Sequence, residues 1–85
     1  KNLHFNLQEQ GRLVKRIFEK KELPDFGYDI HHINYQDGLK VYFKNGGWIS
    51  TRFSGTEPLL RIYAEMNNEA LATALCDKMK EFLNL

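Results

Sequence analysis

The sequence predicts an α+β fold: a four-stranded antiparallel sheet with two helices packed on one face, in the order helix, four strands, helix. Three observations predict it. Apolar residues recur at helical spacing toward each end of the chain. Between them lie runs with a two-residue alternation of apolar and polar side chains. Short turn sequences, Gln36-Asp37-Gly38 and Asn45-Gly46-Gly47, separate those runs. A chain of 85 residues, 42% hydrophobic and 13% aromatic, makes one folded domain with a modest core rather than a disordered segment.

The first five residues, Lys1 to Phe5, carry no clear pattern and read as a linker remnant. Asn6 followed by Glu9 fits a capping box. Gln10, Leu13, Val14, Ile17 and Phe18 then form one apolar stripe, with Arg12, Lys15, Arg16 and Glu19 on the solvated side. Lys20 and Lys21 suit the negative end of the helix dipole, and Leu23-Pro24 stops the helix. Tyr28 to Tyr35 is the first strand. His31 and His32 sit side by side in it, so they should point to opposite faces and not share a metal ion.

Leu39, Val41 and Phe43 alternate with Lys40, Tyr42 and Lys44 in the clearest strand of the chain. In the next, Trp48 to Phe53, the residues Ile49, Thr51 and Phe53 take one face, and Trp48, Ser50 and Arg52 the other. Trp48 reads as a packing residue, because an indole buries a large area. Leu59 to Met66 is the fourth strand, with Leu60, Ile62, Ala64 and Met66 facing the core and Arg61, Tyr63 and Glu65 facing away. Asn67 or Asn68 caps the last helix. Leu71, Leu75, Met79 and Phe82 form its buried stripe, with Ala74, Leu83 and Cys76 beside them.

Charge and composition narrow the function classes. A formal net charge of +1 is too small for the broad basic surface of a nucleic-acid binder, so any anion site is local. The single cysteine, Cys76, allows no internal disulfide and suits a reducing, cytoplasmic compartment. No apolar run reaches membrane-spanning length, and no signal peptide is visible. The chain begins with Lys1 rather than Met, which fits a piece of a longer protein.

The loop between the last two strands carries the chemistry. Arg52 and Arg61 flank it, and each guanidinium is a planar fork that matches a phosphate bidentately. Ser54 and Thr56 add hydroxyl donors. Gly55 permits close backbone approach and unusual conformations. Successive amides in such a turn can cradle an anion. Matching the core faces of the flanking strands sets Thr51 near Ile62 and Phe53 near Leu60, which puts Arg52 across from Arg61 at the mouth of the loop. Like charges opposite one another on a sheet are destabilising, so an anion belongs between them. Glu57, Glu65 or a ligand phosphate could serve. A phosphate site and an internal Arg–Glu staple both fit that spacing.

Arg52, Ser54, Gly55, Thr56, Glu57, Pro58, Arg61, Tyr63 and Glu65 together resemble the phosphate-binding signature of the C-terminal domain of the α-D-phosphohexomutases, the phosphoglucomutase and phosphomannomutase family. Phe53 departs from the pattern, where many members have proline; its side chain should point away from a ligand. The resemblance implies a TATA-binding-protein-like topology for residues 1–85, acting as the C-terminal phosphate-binding domain of a larger enzyme. It implies that Arg52, Ser54, Gly55, Thr56 and Arg61 hold the phosphate of a hexose phosphate that is not reacting. A phosphoserine and a Mg²⁺ ion held by an aspartate cluster are then expected on other domains of the same polypeptide, with no cofactor in this chain. No serine flanked as a phosphoacceptor and no Asp-x-Asp-x-Asp metal loop is found here, so the isolated chain is expected to be inactive as a mutase. Nucleic acid and membrane are not expected partners. The alternative is a stand-alone phosphate- or phosphopeptide-binding module without catalysis.

Overall fold

The computed structural model describes residues 2–85. Its sheet has five strands, one more than expected: β1 (Asn2–His4), β2 (Ile30–Asn34), β3 (Leu39–Phe43), β4 (Trp48–Phe53) and β5 (Leu59–Glu65). Their order across the sheet is β1-β5-β4-β3-β2, with every neighbouring pair antiparallel. The segment expected to be a linker remnant is therefore structural, apart from Lys1, which lies outside the described residues. Leu3 pairs with Leu60 and is buried, as is Phe5 just beyond it. Three residues are too few to show an alternation; β1 is a strand because β5 offers it a ladder.

A helical segment, α1, spans residues 7–19 in three registers: a 3₁₀ turn at Leu7–Glu9, an α-helical turn at Gln10–Val14 and a π-helical turn at Lys15–Glu19. The Asn6 side chain accepts from the Gln8 amide at 3.0 Å and so caps a 3₁₀ turn, while Glu9, expected to complete a capping box, lies 3.5 Å from Arg12. The helix ends at Glu19, ahead of the expected Leu23-Pro24 stop. The wide last turn continues into Lys21, which takes a left-handed φ of 54°. A Glu22 carboxylate 3.2 Å from Arg16 Nε draws the chain back across that turn.

The second helix, α2 (Glu69–Phe82), is capped by Asn68, whose side chain accepts from the Leu71 amide at 2.9 Å. Leu75, Cys76, Met79 and Leu83 are buried, as their spacing predicts. Leu71 was expected in that stripe but is 36% exposed; Phe82 is half-buried and Ala74 exposed. Arg12 and Arg16 are not merely solvated. Their guanidiniums donate to the carbonyls of Leu83 and Phe82 respectively, and Arg16 also lies 3.9 Å over the Phe82 ring. Two cations from α1 thus satisfy the open carbonyls at the negative end of α2.

Both helices contribute to one core on one face of the sheet. Leu13 and Ile17 of α1 and Leu75 and Met79 of α2 join Val41, Ile49 and Ile62 in a single buried cluster. The other face stays open. On it Lys40 Nζ lies 4.2 Å above the Trp48 ring, and Trp48 donates through Nε1 to Glu65 at 3.1 Å. Trp48 is a packing residue, but of the open face rather than the core.

The histidine pair corrects another expectation. A bulge between Ile30 and His32 breaks the two-residue alternation, and both imidazoles end up exposed with their Nδ1 atoms 2.6 Å apart. Among the described residues, no group of three or more His, Cys, Asp or Glu is placed to hold a metal ion. No helix among them is long and apolar enough to cross a membrane.

Gly38 is the glycine the fold most needs. It has φ of 73°, and a Cβ there would meet Arg52 Cβ at 2.6 Å and the Thr51 carbonyl at 2.7 Å. Strain and clash coincide, so Gly38→Ala is expected to cost about 1–3 kcal/mol, read as a lower urea midpoint at unchanged slope.

Candidate functional site

The β4–β5 hairpin has the register expected from its two apolar faces. Thr51 pairs with Ile62, Phe53 with Leu60 and Arg52 with Arg61. Both arginines therefore stand on the open face, side by side, where the strands enter the loop. Phe53 points the other way, into an aromatic cluster with Phe5 at 5.7 Å and Phe18 at 6.0 Å between ring centroids.

The loop between them is pinned at its base. The Ser54 amide donates to the Leu59 carbonyl at 2.9 Å, and the Leu59 amide to the Glu57 carbonyl at 2.8 Å. From outside the hairpin, the Phe5 amide donates to the Pro58 carbonyl at 3.0 Å, so the unexpected first strand also holds the loop. Inside the turn, the Ser54 hydroxyl is the hub. It accepts from the amides of Thr56 and Glu57 at 3.3 and 3.4 Å and lies 3.4 Å from the Thr56 hydroxyl. These are long hydrogen bonds. They leave two amides and two hydroxyls converging on one small region, held only loosely by one another.

Gly55 does not fill the role its type suggests. Its φ is not left-handed, and a Cβ there would meet nothing within 4 Å. The loop backbone does not require glycine; what glycine leaves is an uncovered main chain beside the two hydroxyls. Thr56, Glu57 and Pro58 are exposed around it.

The five candidate residues do not line one pocket. Ser54, Gly55 and Thr56 line an open concavity of about 320 Å³ whose opposite wall is Phe5, Leu7 and Gln10. Arg52 lines a second concavity of about 360 Å³ on the open sheet face, with Asp37, Lys40, Ser50, Trp48 and Tyr63 among its neighbours. Arg61 lines neither. Arg52 thus reaches toward the sheet face, and neither arginine lines the concavity of the loop.

The anion expected between the arginines is neither Glu57 nor Glu65. Glu65 is engaged by Trp48, and the carboxylate nearest Arg52 is Asp37, with Oδ2 3.7 Å from Nη1. Arg61 has no ion pair among the described residues. Sequence reasoning took Gln36-Asp37-Gly38 as a turn and nothing more. The signal that could have found the contact is the β3–β4 register: Leu39 pairs with Thr51, so the residues just before Leu39 come beside Arg52.

All the converging groups are hydrogen-bond donors or neutral hydroxyls, and none is a strong nucleophile or an acid–base pair. Such a set of donors is suited to an anion.

Residues 6–82 match the family described as Phosphoglucomutase/phosphomannomutase, C-terminal domain. The chain is 34% identical over 73 residues to a protein named Probable phosphoglucosamine mutase from Methanosphaera stadtmanae, covering 86% of this chain and 16% of that protein. It is 38% identical over 72 residues to the Phosphoglucomutase/phosphomannomutase of Thermococcus kodakarensis, covering 85% of this chain and 12% of that one. The Phosphomannomutase of Mycoplasma pneumoniae is 44% identical over 62 residues, or 67% of this chain and 11% of its own length. The chain thus spans between 11% and 16% of the length of these curated relatives. The match over residues 6–82 places this chain in the family of phosphoglucomutase/phosphomannomutase C-terminal domains.

Proposed function

We propose that this chain is the phosphate-gripping domain of a longer phosphohexomutase, and that it holds the phosphate of a hexose phosphate that is not being transferred. The cross-strand Arg52–Arg61 pair at the mouth of a donor-rich loop carries this reading. A phosphate oxygen is a stronger acceptor than the Ser54 hydroxyl, so a bound phosphate would take over the Thr56 and Glu57 amides from it. The hydroxyls of Ser54 and Thr56 would then turn toward the same oxygens. Arg52 and Arg61 would supply forked, charge-assisted hydrogen bonds and remove the repulsion between them.

Holding the remote phosphate orients the sugar and helps close a cleft, which contributes to catalysis without touching the reacting atoms. The phosphoserine and the Mg²⁺ that such a reaction uses belong, in this reading, to other domains of the polypeptide, in the cytoplasm. The small share of each relative's length that this chain spans favours this reading over a stand-alone binding module.

The test is an amide NMR titration of the chain with glucose 1-phosphate, with glucose in parallel. Shifts concentrated at Ser54 to Glu57, Arg52 and Arg61, and absent with glucose, are expected, with affinity on the order of millimolar in so open a site. Equal shifts with glucose, or none at tens of millimolar ligand, would overturn the reading.

A further inference from the structure

We propose that Asp37 is a resident counter-anion: its carboxylate occupies Arg52 when no ligand does, and an incoming phosphate must displace it. The inference rests on the phosphate reading above. The turn before β3 lies against the root of the Arg52 side chain, since a Cβ on Gly38 would collide with Arg52 Cβ. That contact holds Asp37 within 3.7 Å of the guanidinium. Both residues line the same concavity on the open sheet face.

The pair is built to be exchanged. Asp37 reaches a single corner of the guanidinium, Nη1, rather than gripping it as a fork, and its side chain is 90% exposed. A single-point, water-screened ion pair is weak. A phosphate dianion offers more charge and two oxygens that fit the planar fork, so it replaces the carboxylate. The displaced Asp37 stays tethered nearby and keeps repelling the dianion. Its presence therefore lowers affinity and speeds release, which suits a site that must let go of its phosphate at each turnover.

Inorganic phosphate is the probe, at low salt and at a pH where it is a dianion, with amide shifts of the loop read for five chains: the wild type, Asp37→Asn, Asp37→Glu, Arg52→Ala and the Asp37→Asn/Arg52→Ala double variant. Asparagine is as acceptable as aspartate in this turn, so the fold is retained. Asp37→Asn is expected to tighten phosphate about two- to fivefold. Asp37→Glu keeps the charge and is expected to stay near wild type. The gain should largely vanish when Arg52 is alanine. Unchanged or weaker binding in Asp37→Asn, with wild type still binding at the loop, would overturn the proposal and leave the phosphate reading standing. A gain of equal size in the Arg52→Ala background would also overturn it, since Asp37 would then act only as a distant charge. Absence of loop shifts in both wild type and Asp37→Asn would remove the phosphate reading and this proposal together.

Discussion

Leu60→Ala is expected to destabilise the fold by about 2–5 kcal/mol, the largest effect of any single substitution considered for this chain. Leu60 is fully buried, and it sits on β5, paired with Leu3 on one side and Phe53 on the other. Removing its isopropyl group empties space that three strands share. Domains of this size have only about 5–15 kcal/mol in hand, so the loss takes a large fraction of it. Urea denaturation would show a midpoint well below wild type. The same variant should loosen the loop, because the Phe5–Pro58 hydrogen bond depends on β1 staying docked. A midpoint within error of wild type would mean the core collapses around the gap and that Leu60 is not its keystone.

The second large effect is on ligand affinity. Arg52→Ala and Arg61→Ala are each expected to weaken phosphate binding by about ten- to a hundredfold, because a hydrogen bond to a charged group contributes about 1.5–3 kcal/mol. Stability should move little in Arg52→Ala, whose side chain is 53% exposed and whose loss relieves repulsion from Arg61. The two readouts together separate a ligand site from a structural staple. Lower stability with unchanged affinity would show that the arginines serve the hairpin alone. The affinity should also fall with added salt, since the site is open to screening.

What could be read from the sequence divides along physical lines. The β4–β5 register was legible because two alternating strands flank a short loop, and only one pairing buries both apolar faces. That register alone placed Arg52 beside Arg61. Strand β1 was not legible, because three residues hold too little pattern and their conformation is imposed by β5. The close approach of His31 and His32 was hidden by a bulge, which cancels the alternation on which the expectation rested. The early end of α1 depends on a π turn and a left-handed Lys21, and neither has a signature in residue type. At the site, the residue types pointed to the loop, but the partner of Arg52 comes from a turn fifteen residues upstream, as the numbering of Asp37 and Arg52 shows. Such a contact is visible only after the β3–β4 pairing is known. Gly55 shows the converse: its residue type suggested a conformational need that the backbone does not have.

The bulge in β2 has a consequence for how this molecule behaves in a crowd. β2 is the outermost strand on its side and exposes Ile30 and Ile33. A regular strand with those side chains would be an inviting template for a neighbouring molecule to extend the ladder. The extra residue at His31 puts its amides and carbonyls out of step with any straight incoming strand. On the far side, the outermost strand is β1, described over Asn2–His4. The rim at β2 is thus blunted, which disfavours edge-to-edge pairing there.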